Sequence, residues 1–221
     1  IRATLNDAPG IALGNVVGSN IANVFLVLGI PALIAGINTG NCNTGKNFLF
    51  MMAATMVFLS FAFFGNLSSS HGIVLLVLLA VFLFVTAKDA LKIQKEIPSS
   101  EVENADPNLA FWKITLFLSL GLIGLPVGAD ILIENASFIA KSYGLSDEII
   151  GLTLIALGTS LPELATTLMA ALRRQAEVAL GNVIGSNIFN ILAIVGITTM
   201  FGNLPIAASF YNFDFWIMFG A

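Results

Sequence analysis

Residues 12–30 read ALGNVVGSNIANVFLVLGI, and residues 179–197 read ALGNVIGSNIFNILAIVGI. At this offset of 167, twelve of the nineteen positions are identical and the other seven pair apolar with apolar. Chance supplies about one identity in such a window, so the match is an internal repeat. Polar residues recur at a spacing of four within each copy: Asn15, Ser19 and Asn23 in the first, Asn182, Ser186 and Asn190 in the second. That spacing puts each trio on one helical face. Gly14 and Gly18, like Gly181 and Gly185, form the small-residue pattern that lets helices approach closely. Packing accounts for the glycines but not for the amides.

The chain around these copies is too apolar for water. Of its 221 residues, 57% are hydrophobic and 10% charged, against about 25% charged in an ordinary soluble domain. Mean hydropathy is +0.93. A soluble enzyme or a disordered chain is excluded, and so is a nucleic-acid binder, since Lys and Arg total 9 against 13 Asp and Glu. The lone cysteine, Cys42, rules out an internal disulfide and any multi-cysteine metal centre. No arginine-rich leader precedes the first apolar run, which therefore reads as a crossing and not as a signal peptide.

Uncharged runs at Phe48–Phe64, Gly72–Ala87, Ile114–Ala129 and Ile149–Leu172, the last broken only by Glu163, are 16 to 24 residues long and lack strand alternation. Such runs match helices across a hydrocarbon core of about 30 Å; a barrel strand needs only about ten alternating residues. Six crossings are predicted, at about 11–36, 47–65, 72–90, 111–140, 148–172 and 177–202, with a seventh apolar stretch starting near Phe213. The expected fold class is an all-α integral membrane protein, an inverted-repeat helical bundle. The helix carrying the second copy is the fifth after the first, and an odd count makes the copies antiparallel. Inverted repeats are the hallmark of secondary transporters, whose sites lie near the midplane.

The one substantial polar connection, 91–110, divides the chain into a first half, 1–90, with its repeat at 1–36, and a second half, 111–221, with its repeat at about 151–200. With the helices alternating, Lys46, Lys88, Lys92, Lys95, Lys113, Arg173 and Arg174 collect on one side and Arg2 and Lys141 on the other. Lys- and Arg-rich short loops stay in the cytoplasm, so the linker is expected there and the protein in the plasma (inner) membrane.

Glu163 stands alone in its membrane segment, and an intramembrane carboxylate marks a functional site by default. Thr159 lies one turn before it and Ser160 beside it. Pro162 cannot donate its N–H and its ring crowds the carbonyl of Gly158, which should break the helix and free carbonyls between Ala156 and Thr159. Carboxylate, hydroxyl, amide and carbonyl oxygens together suit a hard cation. Asp130 and Glu134 either sit solvated near a helix end or line the cation's external path. His71 and Cys42 are placed in short loops, without a role.

The pair GTSLPE (residues 158–163) and GNxxGSNxxN, present in two inverted copies, resembles the cation/calcium exchanger superfamily, and most of all its compact prokaryotic sodium/calcium exchangers. The resemblance covers nearly the whole chain. It implies ten helices in two inverted halves, about six of them complete here, with the chain opening inside the second and stopping at the start of the ninth, as part of a longer protein. The counterpart of Glu163 at the repeat offset falls before Ile1, so the first GTSxPE-like segment is absent from this sequence. By resemblance, the cation ligands are Ala156 (carbonyl), Thr159, Ser160, Glu163, Ser186 and Asn190, with Ser19 and Asn23 from the first repeat. Some relatives carry Asp where Asn190 stands, which bears on ion stoichiometry.

The implied activity is alternating-access antiport of sodium against calcium in a lipid bilayer. No catalytic residue, cofactor or nucleic-acid partner is expected; the ions are cargo. A calcium/proton exchanger remains open at this point, with Glu163 as proton carrier. From a different class, so does a cation channel or a bundle that transports nothing.

Overall fold

A computed structural model describes residues 9–40, 42, 44–96, 111–145 and 147–221. Nearly all of them are helical, because a backbone crossing hydrocarbon must satisfy its N–H and C=O groups internally. Helix α1 joins Pro9–Ala22, a π-helical turn at Asn23–Leu28, and Gly29–Ala35. It ends at Gly36, whose φ of 64° is the left-handed conformation that glycine adopts without strain. Helix α2 is Gly45–Ala62, α3 Ser69–Glu96 and α4 Phe111–Ser142. Next, α5 runs through Asp147–Ile150, a π turn at Gly151–Ile155, and Ala156–Thr159. A break at Ser160 separates it from α6, Leu161–Leu172. Helix α7 joins Ala176–Phe189, a π turn at Asn190–Val195, and Gly196–Phe201. Last, α8 comprises a π turn at Phe210–Asp214 and Phe215–Gly220.

Among the described residues, Ala12–Ala35, Gly45–Ala62, Ser69–Lys92 and Ala176–Phe201 are long and apolar enough to span a membrane singly, and α5 with α6, bent by 48°, is long enough for one more span if the pair crosses as a unit. The sixth expected crossing, 111–140, forms one helix of 32 residues, α4, whose Phe111–Gly121 portion is apolar. Three boundaries differ from expectation. Residues 91–96 continue α3 as helix, while 97–110 lie outside the described residues. His71 sits in the first turn of α3 rather than in a loop, where its Nδ1 accepts the Ser68 N–H at 3.1 Å. The last apolar stretch is already helical at Phe210.

Two short contacts show that the repeats are inverted. Asn66–Leu67 (β1) pairs antiparallel with Leu204–Pro205 (β2), Asn66 opposite Pro205 and Leu67 opposite Leu204. The turns following α2 and α7 therefore share one face of the bundle. Since α2 crosses once, α1 must end on the other face. There, Gly36 and Asn38 line a cavity with Ala171, Arg174 and Ala176, at the start of α7. So α1 and α7 run in opposite directions. The inversion extends to fine detail: the π turns at Asn23–Leu28 and Asn190–Val195 are themselves 167 residues apart.

The core lies where α1 and α7 cross. Leu13, Val16 and Val17 of α1 are buried with Ile184, Ile188, Ile191 and Leu192 of α7, closed by Phe58 of α2, Leu75 of α3, and Phe210 and Phe215 of α8. By contrast, α4 packs chiefly on α5 and α6 and leaves Phe111, Phe117 and Ile123 exposed.

The glycine pattern is only half used among the described residues. A methyl group on Gly18 would overlap the Leu152 carbonyl oxygen and sit 2.7 Å from the Ala156 Cβ, so α1 and α5 touch backbone to backbone. At Gly181 and Gly185 an added methyl meets nothing within 4 Å. Gly18→Ala should therefore destabilise the protein by about 1–3 kcal/mol through overpacking. Gly124→Ala, in open space on α4, should leave the unfolding temperature unchanged or slightly higher. Thermal unfolding of the two detergent-purified variants checks this; equal behaviour would refute the tight α1–α5 contact.

Candidate cation site

Ser160 turns the chain out of α5. Its N–H is shared between the Ala156 and Leu157 carbonyls, both at 3.1 Å, and its own carbonyl takes the Leu164 N–H at 2.9 Å to start α6. Pro162 falls in the first turn of α6, where a missing N–H costs nothing. Glu163 lies in the same turn, where the positive end of the helix dipole favours a carboxylate. The segment Ser160-Leu161-Pro162-Glu163 has the S-x-x-E form of a capping box, yet no side-chain cap is made at Ser160. The Glu163 carboxylate is turned elsewhere. Its Oε1 accepts a long bond from Ser186 Oγ at 3.5 Å, and its Oε2 is buried with no partner.

A second group of oxygens gathers on the other side of the break. Thr159 Oγ1 donates to Asn15 Oδ1 at 3.0 Å and lies 3.1 Å from the Ala156 carbonyl oxygen and 3.1 Å from Ser19 Oγ. Ser19 Oγ in turn reaches Asn15 Oδ1 at 3.4 Å and the Ala156 carbonyl at 3.5 Å. Four oxygens from α1 and α5 thus cluster within hydrogen-bond distance. The expectation of a freed carbonyl is not met at Ala156: its oxygen keeps the ordinary i→i−4 bond from the Ser160 N–H, because a proline at 162 removes only the donor to residue 158.

The repeat stripes do not act as units. Asn15 and Ser19 face Thr159, whereas Asn23, 1% exposed, donates its Nδ2 to Asn187 Oδ1 at 2.9 Å across the α1–α7 crossing. The Asn23 Oδ1 is buried without a partner. In the second copy Asn182 Nδ2 donates to the Glu163 backbone carbonyl at 3.2 Å and to Thr167 Oγ1 at 2.9 Å, tying α7 to the first turns of α6. Ser160 is buried, and Asn190 is half-buried at the head of its π turn. Asp130 and Glu134 are exposed on α4 and join neither group. Asn187 and Thr167 are contacts that the motif reading did not single out; the signal that could have found Asn187 is its identity with Asn20 at the repeat offset. Among the described residues no three His, Cys, Asp or Glu side chains come together. One carboxylate with hydroxyl, amide and carbonyl oxygens is a donor set for a hard, oxygen-seeking cation.

The comparisons with known proteins identify the family. The profile of the sodium/calcium exchanger protein family matches residues 1–88 and 113–221. The chain belongs to that family. It is 32% identical over 242 residues to the sodium/calcium exchanger MaX1 of Methanosarcina acetivorans, covering 94% of this chain and 69% of the relative. To the inner membrane protein YrbG of Escherichia coli it is 31% identical over 222 residues, covering 99% and 68%. A solved structure of the sodium-calcium exchanger NCX_Mj, soaked with Na+ and Sr2+, superposes with a TM-score of 0.73 at 36% identity, covering 98% of this chain and 69% of that one. The chain spans about two thirds of the length of the curated relatives it matches. Members of this family are membrane transporters, not enzymes, and the all-α inverted-repeat architecture is that of the exchanger structures.

Replacing Asn182 by Ala leaves the fully buried Thr167 hydroxyl and the Glu163 carbonyl without their donor. A loss of about 1–3 kcal/mol is expected, against a smaller loss for Thr167→Val, which removes one of the two bonds. Thermal unfolding of the two variants in one detergent gives the order.

Proposed function

We propose that the protein containing this chain is a secondary active antiporter that exchanges sodium for calcium by alternating access. The observation that carries the reading is Glu163: a single carboxylate within an apolar span, at a helix break, with one oxygen buried and unpartnered. A charge in that position is costly unless a counter-ion visits it. The family and the NCX_Mj likeness support sodium and calcium as the visitors.

In this proposal Glu163, Thr159, Ser160, the Ala156 carbonyl and Ser186 coordinate the cation, with Asn190, Ser19 and Asn23 completing the set. Calcium carries two charges and Glu163 supplies one, so the acidic counterpart expected in the first repeat provides the second. Sodium ions take the same oxygens, and the two loads exclude each other. Exchange follows because the empty site, with its carboxylates uncompensated, crosses poorly. The inverted halves, 1–90 and 111–221, rock about the site, and the 91–110 linker faces the cytoplasm of a plasma-membrane protein, in keeping with the seven cations on that side.

Radiolabelled calcium uptake into proteoliposomes holding the full-length protein tests this. An imposed sodium gradient should drive uptake, and Glu163→Gln should reduce it to the level of empty liposomes. Uptake driven by a pH gradient and indifferent to sodium would make the protein a calcium/proton exchanger instead. Uptake without either gradient would indicate a channel.

A further inference from the structure

The asparagines that end each GSN, Asn20 and Asn187, are repeat counterparts at the 167 offset, and neither belongs to the ligand set above. Both are buried, at 3% and 4% exposure. They line a cavity of about 10 Å³ together with Val24, Ile191, Met51 and Met218. Val24 and Ile191 are again 167 apart, and so are Met51 and Met218. Three repeat-related pairs around one small space place that space on the pseudo-two-fold axis of the bundle.

The polar atoms there are directional. Asn20 directs its Nδ2 toward Met218 Sδ at 4.0 Å and leaves its Oδ1 buried without a partner. Asn187 accepts the Asn23 Nδ2 on its Oδ1 at 2.9 Å, so its own Nδ2 is the end available to the cavity, which has the size of one water. An amide has one positive and one negative end, and fixing one end fixes the other. Because Asn187 takes the Asn23 Nδ2, Asn23 is left with a free, buried carbonyl oxygen. The π turn that opens at Asn23 packs against α6, whose first turn carries Glu163.

From this we infer that Asn187 is a positioning residue for the cation site: it holds the Asn23 amide so that Oδ1, and not the Nδ2 donor, faces the ion. This rests on the functional reading above, in which Asn23 is a ligand. Removing the acceptor at 187 frees Asn23 to turn its Nδ2 toward the cation, which weakens ion binding without touching the ion itself.

The test measures the calcium concentration giving half-maximal sodium-driven uptake, with full-length protein in proteoliposomes. Asn187→Leu, similar in shape but without an acceptor, should raise that concentration by about tenfold, while Asn187→Asp, which still accepts from Asn23, should stay within about threefold of wild type. A packing role predicts the opposite order, since a buried carboxylate disturbs an apolar contact more than leucine does. Asn23→Asp presents oxygen whichever way it turns, so adding Asn187→Leu to it should shift the value less than about twofold. Equal shifts from Asn187→Leu in both backgrounds, or none in the wild-type background, would overturn the inference while leaving the exchanger intact. Should Asn187→Leu fail to fold, Asn187→Ala makes the same removal. A wild-type protein without sodium-driven uptake would overturn the functional reading, and this inference with it.

Discussion

Inside hydrocarbon a polar atom has no water to fall back on, so every amide, hydroxyl and carboxylate on these helices must find a protein partner or an ion. Most find a partner. Asn15 takes the hydroxyls of Thr159 and Ser19, Asn182 spans Glu163 and Thr167, and Asn23 meets Asn187. The exceptions are therefore informative. Among the described residues Asn20 Oδ1, Asn23 Oδ1, Ser137 Oγ, Glu163 Oε2 and Thr198 Oγ1 are buried without a partner, and those of Asn23 and Glu163 lie on elements that pack together. Of these atoms only the Glu163 oxygen belongs to a carboxylate, and it lies beside a helix break.

Helix irregularity makes that arrangement possible. A break or π turn changes the direction in which the following side chains leave the backbone. Here the chain departs from α-helical geometry at the site, through the break at Ser160 and the π turns opening at Asn23 and Asn190. π turns are rare and concentrate at functional sites, and their recurrence at the repeat offset shows that the duplication preserved backbone geometry as well as side chains. The tight seat of Gly18 on Leu152 and Ala156 brings the first stripe within hydrogen-bond distance of the break; a larger residue would hold α1 away and separate Ser19 from Thr159.

Much of this was legible beforehand, for definite reasons. Uncharged runs are unambiguous because lipid tolerates so few charges, and all four of them are helical, the last broken at Ser160. Glu163 stood out as the only charge in its span, and Pro162 announced the break. Other features were hidden because they depend on which helix faces which. Three residues in one stripe promise one face, yet Asn15 and Ser19 meet α5 while Asn23 meets α7. The Ala156 carbonyl reads as freed by Pro162, but it keeps its bond from the Ser160 N–H. His71 reads as a loop residue because the boundary of an apolar run does not mark where a helix begins, and the helix starts at Ser69.

The sequence by itself determined the membrane class, the apolar runs that form helices, the antiparallel duplication and the lone carboxylate of the 149–172 run. Each of these follows from composition, length and parity, which need no knowledge of neighbours. Only the tertiary structure decided which end of each amide is engaged, which oxygens are left over, and that Gly18 seats α1 directly on the backbone of α5. Those outcomes depend on contacts across the α1–α7 crossing and the α1–α5 interface. Positions more than a hundred residues apart meet there, and no local pattern encodes the meeting.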